Sequence, residues 1–581
     1  MPFMRLALLP ERPRRFLDTL ASFVVANAGP LGAAGVGLLA FLAIYGPAAL
    51  NPTRLSWLIR DDFSQHLLGW LFFRNEPLRF PLGAIDGYLH PLGTTLGYMD
   101  AIPWVALLLR PFSSLLPADF QYIGPWMCMC LVLQGAASAW VARRMGATVP
   151  QQWLVGALLV LSPTLLARMS MAHEALCAHW TLVLLVGLNL LPQRDAREAK
   201  QALGIALALC VFAAGVHPVV TAMVLALALA LCARTALERK LPWRWPLLGA
   251  VANVAVVLVL FYVLGYLGTV RTLGAGAFGG FSADLLTFVN PMGYRDSWSR
   301  FLESLPRQGA QYEGFGYLGL GVLFALWAAL ILLVRDAPLV ARHWRRLAPV
   351  GLVALGLGFF ALSSRVTLRG ELIADLSGLY APVMRWVEPF RSSGRFVWPL
   401  YYLLALGSAL ALIRLPRPTV APSLLALALA LQAFDVNLGR GHQAKEGPAW
   451  NTQPSEALRE AAVGRKHLVL YPPQMHDGSG RGCRAGPMDF HRWAYRAYLL
   501  GLTFNSGYVA RLDDARAQPY CLGLDDEIRA GRLDPEAVYL SIPQRLHEFR
   551  AIRGTRCVQE ERLWLCVLEQ APAAPAERAS P

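Results

Sequence analysis

The segment Arg60-Asp61-Asp62-Phe63-Ser64-Gln65-His66 places two carboxylates within about one helical turn of an imidazole. Asp62 and His66 stand four apart, so on a helix they share a face. A carboxylate beside an imidazole can take the proton of a hydroxyl as a general base. The plain alternative is a solvated helix start, in which an Asp caps the run HLLGWLFF. Asp100, in GYMDAIPW, poses the same choice between a second acid and a cap before Pro103. His173 and Glu174 sit together at one end of an apolar run, and His217 at the end of another. A single such group is often an interface residue, but ionisable residues at membrane depth are functional candidates. Farther along, Glu313 lies in AQYEGFGYLGLG, and Arg365, Arg369, Arg385, Arg391 and Arg395 crowd one segment ending PFRSSGRFVWP. The arginine fork suits bidentate phosphate binding. Pairing with lipid headgroups, or with Glu371 and Glu388, is the alternative.

The elements that must carry these residues are membrane helices. The chain has 581 residues, a mean hydropathy of +0.42 and only 16% charged residues, against about 25% in soluble domains. Its net charge of +15 does not indicate nucleic acid. Most basic residues fall in short loops between apolar runs, where the positive-inside rule puts them. Those runs lie at about 31–50, 122–142, 152–167, 175–192, 201–215, 219–232, 247–268, 316–334, 349–363, 396–413 and 419–434. The first is uncharged and long enough to cross a bilayer as a helix. The run 101–116 is shorter and holds Arg110 and Pro111, which predicts an interfacial or re-entrant helix.

With 101–116 left out of the count, every basic short loop lies on one side. The positive-inside rule then selects eleven spans, a cytoplasmic N-terminus (1–30) and an external C-terminus. The same count collects Asp61, Asp62, His66, Asp100, His173, Glu174, His217, Glu313, Arg365, Arg391 and Arg395 on the external face, a clustering that was not put into it. No cleavable signal peptide is expected, because the first apolar run is a full span. The composition turns polar from about 441, and a small α/β domain is expected over 436–570, with a disordered tail at 571–581. Five of the nine cysteines fall in apolar runs; Cys483, Cys521, Cys557 and Cys566 fall in the polar domain. Outside the cytoplasm four cysteines suggest two disulfides, and Cys557–Cys566 with Cys483–Cys521 is the favoured pairing.

This layout resembles the GT-C superfamily of membrane glycosyltransferases, which use polyprenyl-phosphate-linked sugars. The stretches DFSQHLLGWLFFR, YMDAIPWVALL, the His173 region, EGFGYLGLG and FRSSGRFVWP are similar to a bacterial family allied to it, over about 50–400. The resemblance implies an all-α polytopic fold with interfacial helices in a first external loop (51–121). It puts the catalytic acid on Asp62, within Asp-x-x-Gln-His, with Asp61 as a neighbour that leaves the base ambiguous and Asp100 as a second acid. It implies a polyprenyl-phosphate sugar donor, a cell-envelope glycan or lipid acceptor, contact with membrane lipid, and a site in the bacterial inner membrane opening to the periplasm. Arg391 and Arg395, at i and i+4, would then hold the departing phosphate, and His66, His173, Glu174, His217, Glu313 and Arg365 would line the substrate site. A single inverting displacement is the simplest chemistry, because no second buried nucleophile stands out. No spacing demands a metal ion, though Asp61, Asp62 and Asp100 could share one. The rival functions are a non-enzymatic transporter or flippase of lipid-linked glycans and an envelope assembly protein. The odd span count and the lack of internal repeats argue against the transporter.

The topology makes a direct prediction. A reporter active only outside the cytoplasm works when fused after Leu438 and fails after Arg144 or Lys240; activity at Arg144 would invert the proposed face.

Overall fold

The computed structural model describes residues 19, 21–58, 61–267, 278–292, 297–335, 337–415, 419–438, 452–477 and 482–569, with the side chains of Asp61, Leu339 and Val340 outside that description. Arg60 and the tail 571–581 also lie outside the described residues.

Each of the apolar runs forms a helix. Among the described residues six helices are long and apolar enough to cross a membrane, or seven if the bent pair Val149–Val160 and Pro163–Ser170 is one span. Glu174–Leu190, Leu320–Arg335 and Val420–Asp435 are shorter apolar helices. The protein is therefore a multi-pass membrane protein. The bend of 43° in the pair falls at Ser162-Pro163. Proline lacks the N–H that would continue the ladder, and the Ser162 side chain accepts from Leu165 N–H to start the next helix. Thr148 and Gln151 form a capping box at Val149, and Asp195 caps Ala196–Ala214.

The run 101–116 is a helix over Pro103–Leu109 continued by a 3-10 turn over Arg110–Leu115. Leu108, Phe112 and Leu115 are exposed, the pattern of a short helix lying at an apolar surface. The cap expected of Asp100 does not form; Ile102 holds the N-cap position without a side-chain bond.

The C-terminal domain is built on a mixed sheet in the order Thr555–Glu560, Leu563–Leu568, Ala537–Ser541, His467–Tyr471, Thr503–Phe504. A second sheet has the order Gly482–Arg484, Gln474–Asp477, Gly507–Val509. The favoured disulfides are both formed, Cys557–Cys566 joining directly paired residues of neighbouring strands. Its helices include Asp514–Arg529 and Leu546–Arg550.

This domain is seated on the first loop rather than tethered beside it. One buried apolar cluster contains Leu71, Tyr88 and Leu96 from the loop and Phe490, Trp493 and Phe504 from the domain. Backbone bonds cross the junction: His90 N–H to Phe504 C=O at 2.9 Å, Phe504 N–H to Gly87 C=O at 2.7 Å and Ala510 N–H to Tyr98 C=O at 2.8 Å. The Tyr495 hydroxyl donates to Asp119, and the Tyr498 hydroxyl to Ala118 C=O at 3.0 Å. Gly507 is required by this seating, because a Cβ there would stand 2.4 Å from the buried Tyr88 hydroxyl oxygen.

Gly507→Val should therefore unseat the domain while leaving its own sheets intact. Limited proteolysis should release a fragment near 452–569 from the variant and not from the wild type.

Candidate functional site

A cavity of about 1070 Å³ lies between the membrane helices, the first loop and the C-terminal domain. Its polar lining includes Asp62, His66, Asp100, His173, His217, Glu313, Arg391, Arg395 and Arg511. Of the site residues named above whose side chains are described, all but Glu174 and Arg365 are brought to its wall, and Arg369 and Arg385 stay off it as well. Glu174 is buried just behind, bonded to His66. Arg365 is a correction: it is exposed at the head of the strand Arg365–Leu368, opposite Asp375, and does not line the cavity. Asp61 opens the helix Asp61–Phe73, and its side chain lies outside the described residues.

Asp62 and His66 share a face of the helix Asp61–Phe73, as four-residue spacing requires. Asp62 Oδ2 stands 3.0 Å from His173 Nε2. The other ring nitrogen, Nδ1, is 3.2 Å from Arg168 Nη1. A guanidinium can only donate, so Nδ1 is the acceptor and the proton sits on Nε2, directed at Asp62. His217 repeats the device. Its Nδ1 accepts from Val219 N–H at 3.0 Å, capping the helix Pro218–Leu237, which leaves Nε2–H facing Asp100 Oδ1 at 3.5 Å.

Two segments of the site are held in left-handed backbone. Asp100 has φ 52°, Ile102 φ 48°, and Ala172, just before His173, φ 60°. A β-branched residue in that region is strained and persists only where its surroundings enforce it. Ile102 is fully buried, and Asp100 is thereby turned toward the cavity instead of capping the next helix.

Glu313 ties the wall together. It lies at the end of the 3-10 turn Gly309–Gly314 and is nearly fully buried. Arg395 grips it with a fork, Nε to Oε2 at 2.8 Å and Nη2 to Oε1 at 2.7 Å. Arg168 Nη1 reaches the same Oε2 at 2.5 Å. Arg395 can approach so closely because the neighbouring backbones do: a Cβ on Gly394 would meet Gly314 Cα at 2.6 Å and Phe281 O at 2.8 Å. The i, i+4 helical pairing expected of Arg391 and Arg395 is not what forms. Arg391 follows a 3-10 turn over Glu388–Phe390, and Arg395 lies in another over Ser393–Val397. Glu313, not Glu371 or Glu388, is the acid that Arg395 meets.

The charges follow from these contacts. Burial acts to raise the Asp62 carboxyl, but the His173 hydrogen bond and the nearby His66 charge outweigh it and hold it below its ordinary range. Burial likewise works against Glu313 and is overcome by Arg395 and Arg168, which keep it well below its usual value. His66 is buried, which disfavours its charged form, yet Glu174 at 2.5 Å from Nδ1 pushes it up to about 9. Asp100 adds to this from 3.9 Å. Among the described residues no three His, Cys, Asp or Glu side chains converge to hold a metal ion.

Two arginines of the site escaped the sequence reading. Arg168 ends the same apolar run that leads to His173 and Glu174, and that placement was a usable signal. Arg511 had none, because it reaches the cavity only through the seating of a domain more than a hundred residues away.

The chain belongs to the family described as "Domain of unknown function (DUF6311)", which matches residues 34–437, and its residues 457–568 match the DUF6311 C-terminal domain. No curated protein matches it. Among solved structures it is similar to ArnT from Cupriavidus metallidurans in the apo state, at 13% identity and TM-score 0.45 over 94% of this chain and 98% of that one. It is also similar to the arabinofuranosyltransferase AftD from Mycobacteria, at 15% identity and TM-score 0.44, over 93% of this chain and 40% of that one.

The His66–Glu174 pair gives the site a pH dependence. With the folded pKa at about 9 against 6.5 for the free side chain, its stabilisation is complete below pH 6.5 and is lost as pH rises through 9. The melting temperature should fall over that window, and His66→Gln should flatten the fall.

Proposed function

We propose that this protein is a membrane glycosyltransferase that moves a sugar from a polyprenyl-phosphate donor to a glycan or lipid acceptor of the cell envelope, at the periplasmic face of the bacterial inner membrane. The observation that carries the reading is the oriented pair Asp62–His173 at 3.0 Å on the wall of a cavity that also presents cationic arginines. His173 engages one carboxylate oxygen and leaves Oδ1 for an acceptor hydroxyl. In the proposed step Asp62 takes the hydroxyl proton as the acceptor oxygen bonds the anomeric carbon. The bond from that carbon to the phosphate oxygen breaks, and the polyprenyl phosphate departs with the electron pair. One displacement inverts the anomeric centre. Asp62 also offers negative charge to the sugar as positive charge develops on it. Asp100, turned in by its left-handed backbone, is the second acid; His66 and His217 keep it company.

Arg391 and Arg395 are proposed to meet the phosphate. Arg395 does so with its Nη1 edge, since its Nε–Nη2 edge holds Glu313. A transporter of lipid-linked glycans would need a route and two access states, but it would have no use for a carboxylate oriented by a histidine whose tautomer is fixed by a buried arginine. The orientation proposed here places the two disulfides outside the cytoplasm, where they persist.

The test is transfer in vitro from radiolabelled polyprenyl-phosphate sugars to envelope lipid or glycan. Asp62→Asn is isosteric and removes only charge and basicity, so it should lower turnover by about 10²–10⁴-fold with an unchanged melting temperature. Asp61→Asn should cost less. Full activity in both variants would remove this loop from the chemistry.

A further inference from the structure

Arg511 follows the strand Gly507–Val509 of the C-terminal domain and lines the cavity together with Tyr508 and Ala510. Its side chain is turned back toward the membrane domain. Nη2 donates to Pro389 C=O at 2.8 Å and Nη1 to Ala510 C=O at 2.8 Å. Pro389 lies two residues before Arg391, which lines the same cavity with its guanidinium 5.8 Å from the Phe281 ring centroid. Among the described residues neither Arg391 nor Arg511 has an ion-pair partner within 4.0 Å, whereas Arg168 and Arg395 share Glu313. Burial, and after it the Arg391 charge, lowers Arg511 to about 10. It remains charged at neutral pH. Two like charges drawn together in a partly buried cavity, on two different domains, are unfavourable unless an anion joins them.

We infer that Arg391 and Arg511 form a two-part anion clasp that takes the phosphoryl group of a lipid-linked ligand and makes its binding depend on the seated C-terminal domain. The inference rests on the glycosyltransferase reading for the kind of ligand, though the clasp itself is defined by its charges. Arg395 brings less unbalanced charge to this task, because Glu313 pairs with its Nε–Nη2 edge. Arg511 supplies a second full cation, and its bond to Pro389 sets the loop that presents Arg391. A phosphate monoester or diester is the chemistry that two guanidinium groups recognise. The open Asp62 side of the same cavity leaves room for a sugar attached to that phosphate.

The experiment is equilibrium binding of radiolabelled decaprenyl phosphate to the full-length protein in a neutral detergent, with decaprenol and inorganic phosphate as comparison probes. Arg391→Ala and Arg511→Ala should each weaken decaprenyl phosphate by about 10–100-fold, the range of a charged hydrogen bond. Arg511→Gln keeps a donor for the Pro389 carbonyl and removes only the charge, so it should weaken binding as much; Arg511→Lys should fall between. Decaprenol should bind wild type and variants alike. Wild-type affinity in Arg511→Gln would overturn the clasp and reduce Arg511 to a tether, even if Arg511→Ala were unstable. Inorganic phosphate binding as tightly as decaprenyl phosphate would overturn the lipid-linked assignment. If binding depends on Arg511 but the wild type transfers no sugar, the enzymatic reading fails and the clasp stands. If transfer proceeds and Arg511→Gln leaves donor KM unchanged, the clasp fails and the enzyme stands.

Discussion

A buried carboxylate must be paired, and the pairing of Glu313 organises this protein. The ion trio Arg168–Glu313–Arg395 joins three segments that are far apart in the chain: the helix Pro163–Ser170, the turn Gly309–Gly314 and the turn Ser393–Val397. Removing Glu313 would leave two buried guanidinium groups without their counter-charge, a loss of about 3–5 kcal/mol. The trio also orients the Asp62 carboxylate. Arg168, anchored on Glu313, donates to His173 Nδ1; that fixes the His173 tautomer, and the Nε2 proton orients Asp62. The order of contact runs from a structural ion pair to the Asp62 carboxylate through one imidazole. The approach of Gly314 to Gly394 is what brings the trio within reach, and neither position has room for a Cβ.

The C-terminal domain completes the cavity. Its contribution is both mechanical and electrostatic: Phe504 and Ala510 extend backbone bonding onto the first loop, and Tyr508 and Arg511 face the cavity that the loop begins. A domain appended by sequence is thus continuous in its packing with the first loop of the membrane domain. The exposed apolar side chains Leu108, Phe112 and Leu115 lie in the same first loop.

The helices were legible because their signal is local. An uncharged stretch of sufficient length becomes a helix wherever backbone groups lack water, and each apolar run did so. That 101–116 falls short of a full membrane-crossing helix was readable from its length and from Arg110 and Pro111. Much of the candidate site could also be read, since ionisable residues at span ends on one face have few bland explanations. What escaped depended on distant parts of the chain. The i, i+4 argument for Arg391 and Arg395 assumed an α-helix where the chain makes 3-10 turns around Pro389 and Gly394. Arg365 looked like its neighbours in composition and differs only in which way its hairpin turns it. The left-handed backbone at Asp100 and Ile102 is enforced by burial that no local pattern announces.

The central claim is that this cavity holds a lipid-linked sugar with its anomeric carbon at Asp62. The most direct measurement is an electron cryomicroscopy structure of the full-length protein with a non-hydrolysable polyprenyl-phosphonate sugar. The account predicts the sugar between Asp62 and Asp100 and the phosphonate against Arg391, with the prenyl chain leaving toward the lipid. Density for the headgroup outside the cavity, or the phosphonate at Asp62 with the sugar directed away from it, would contradict the account.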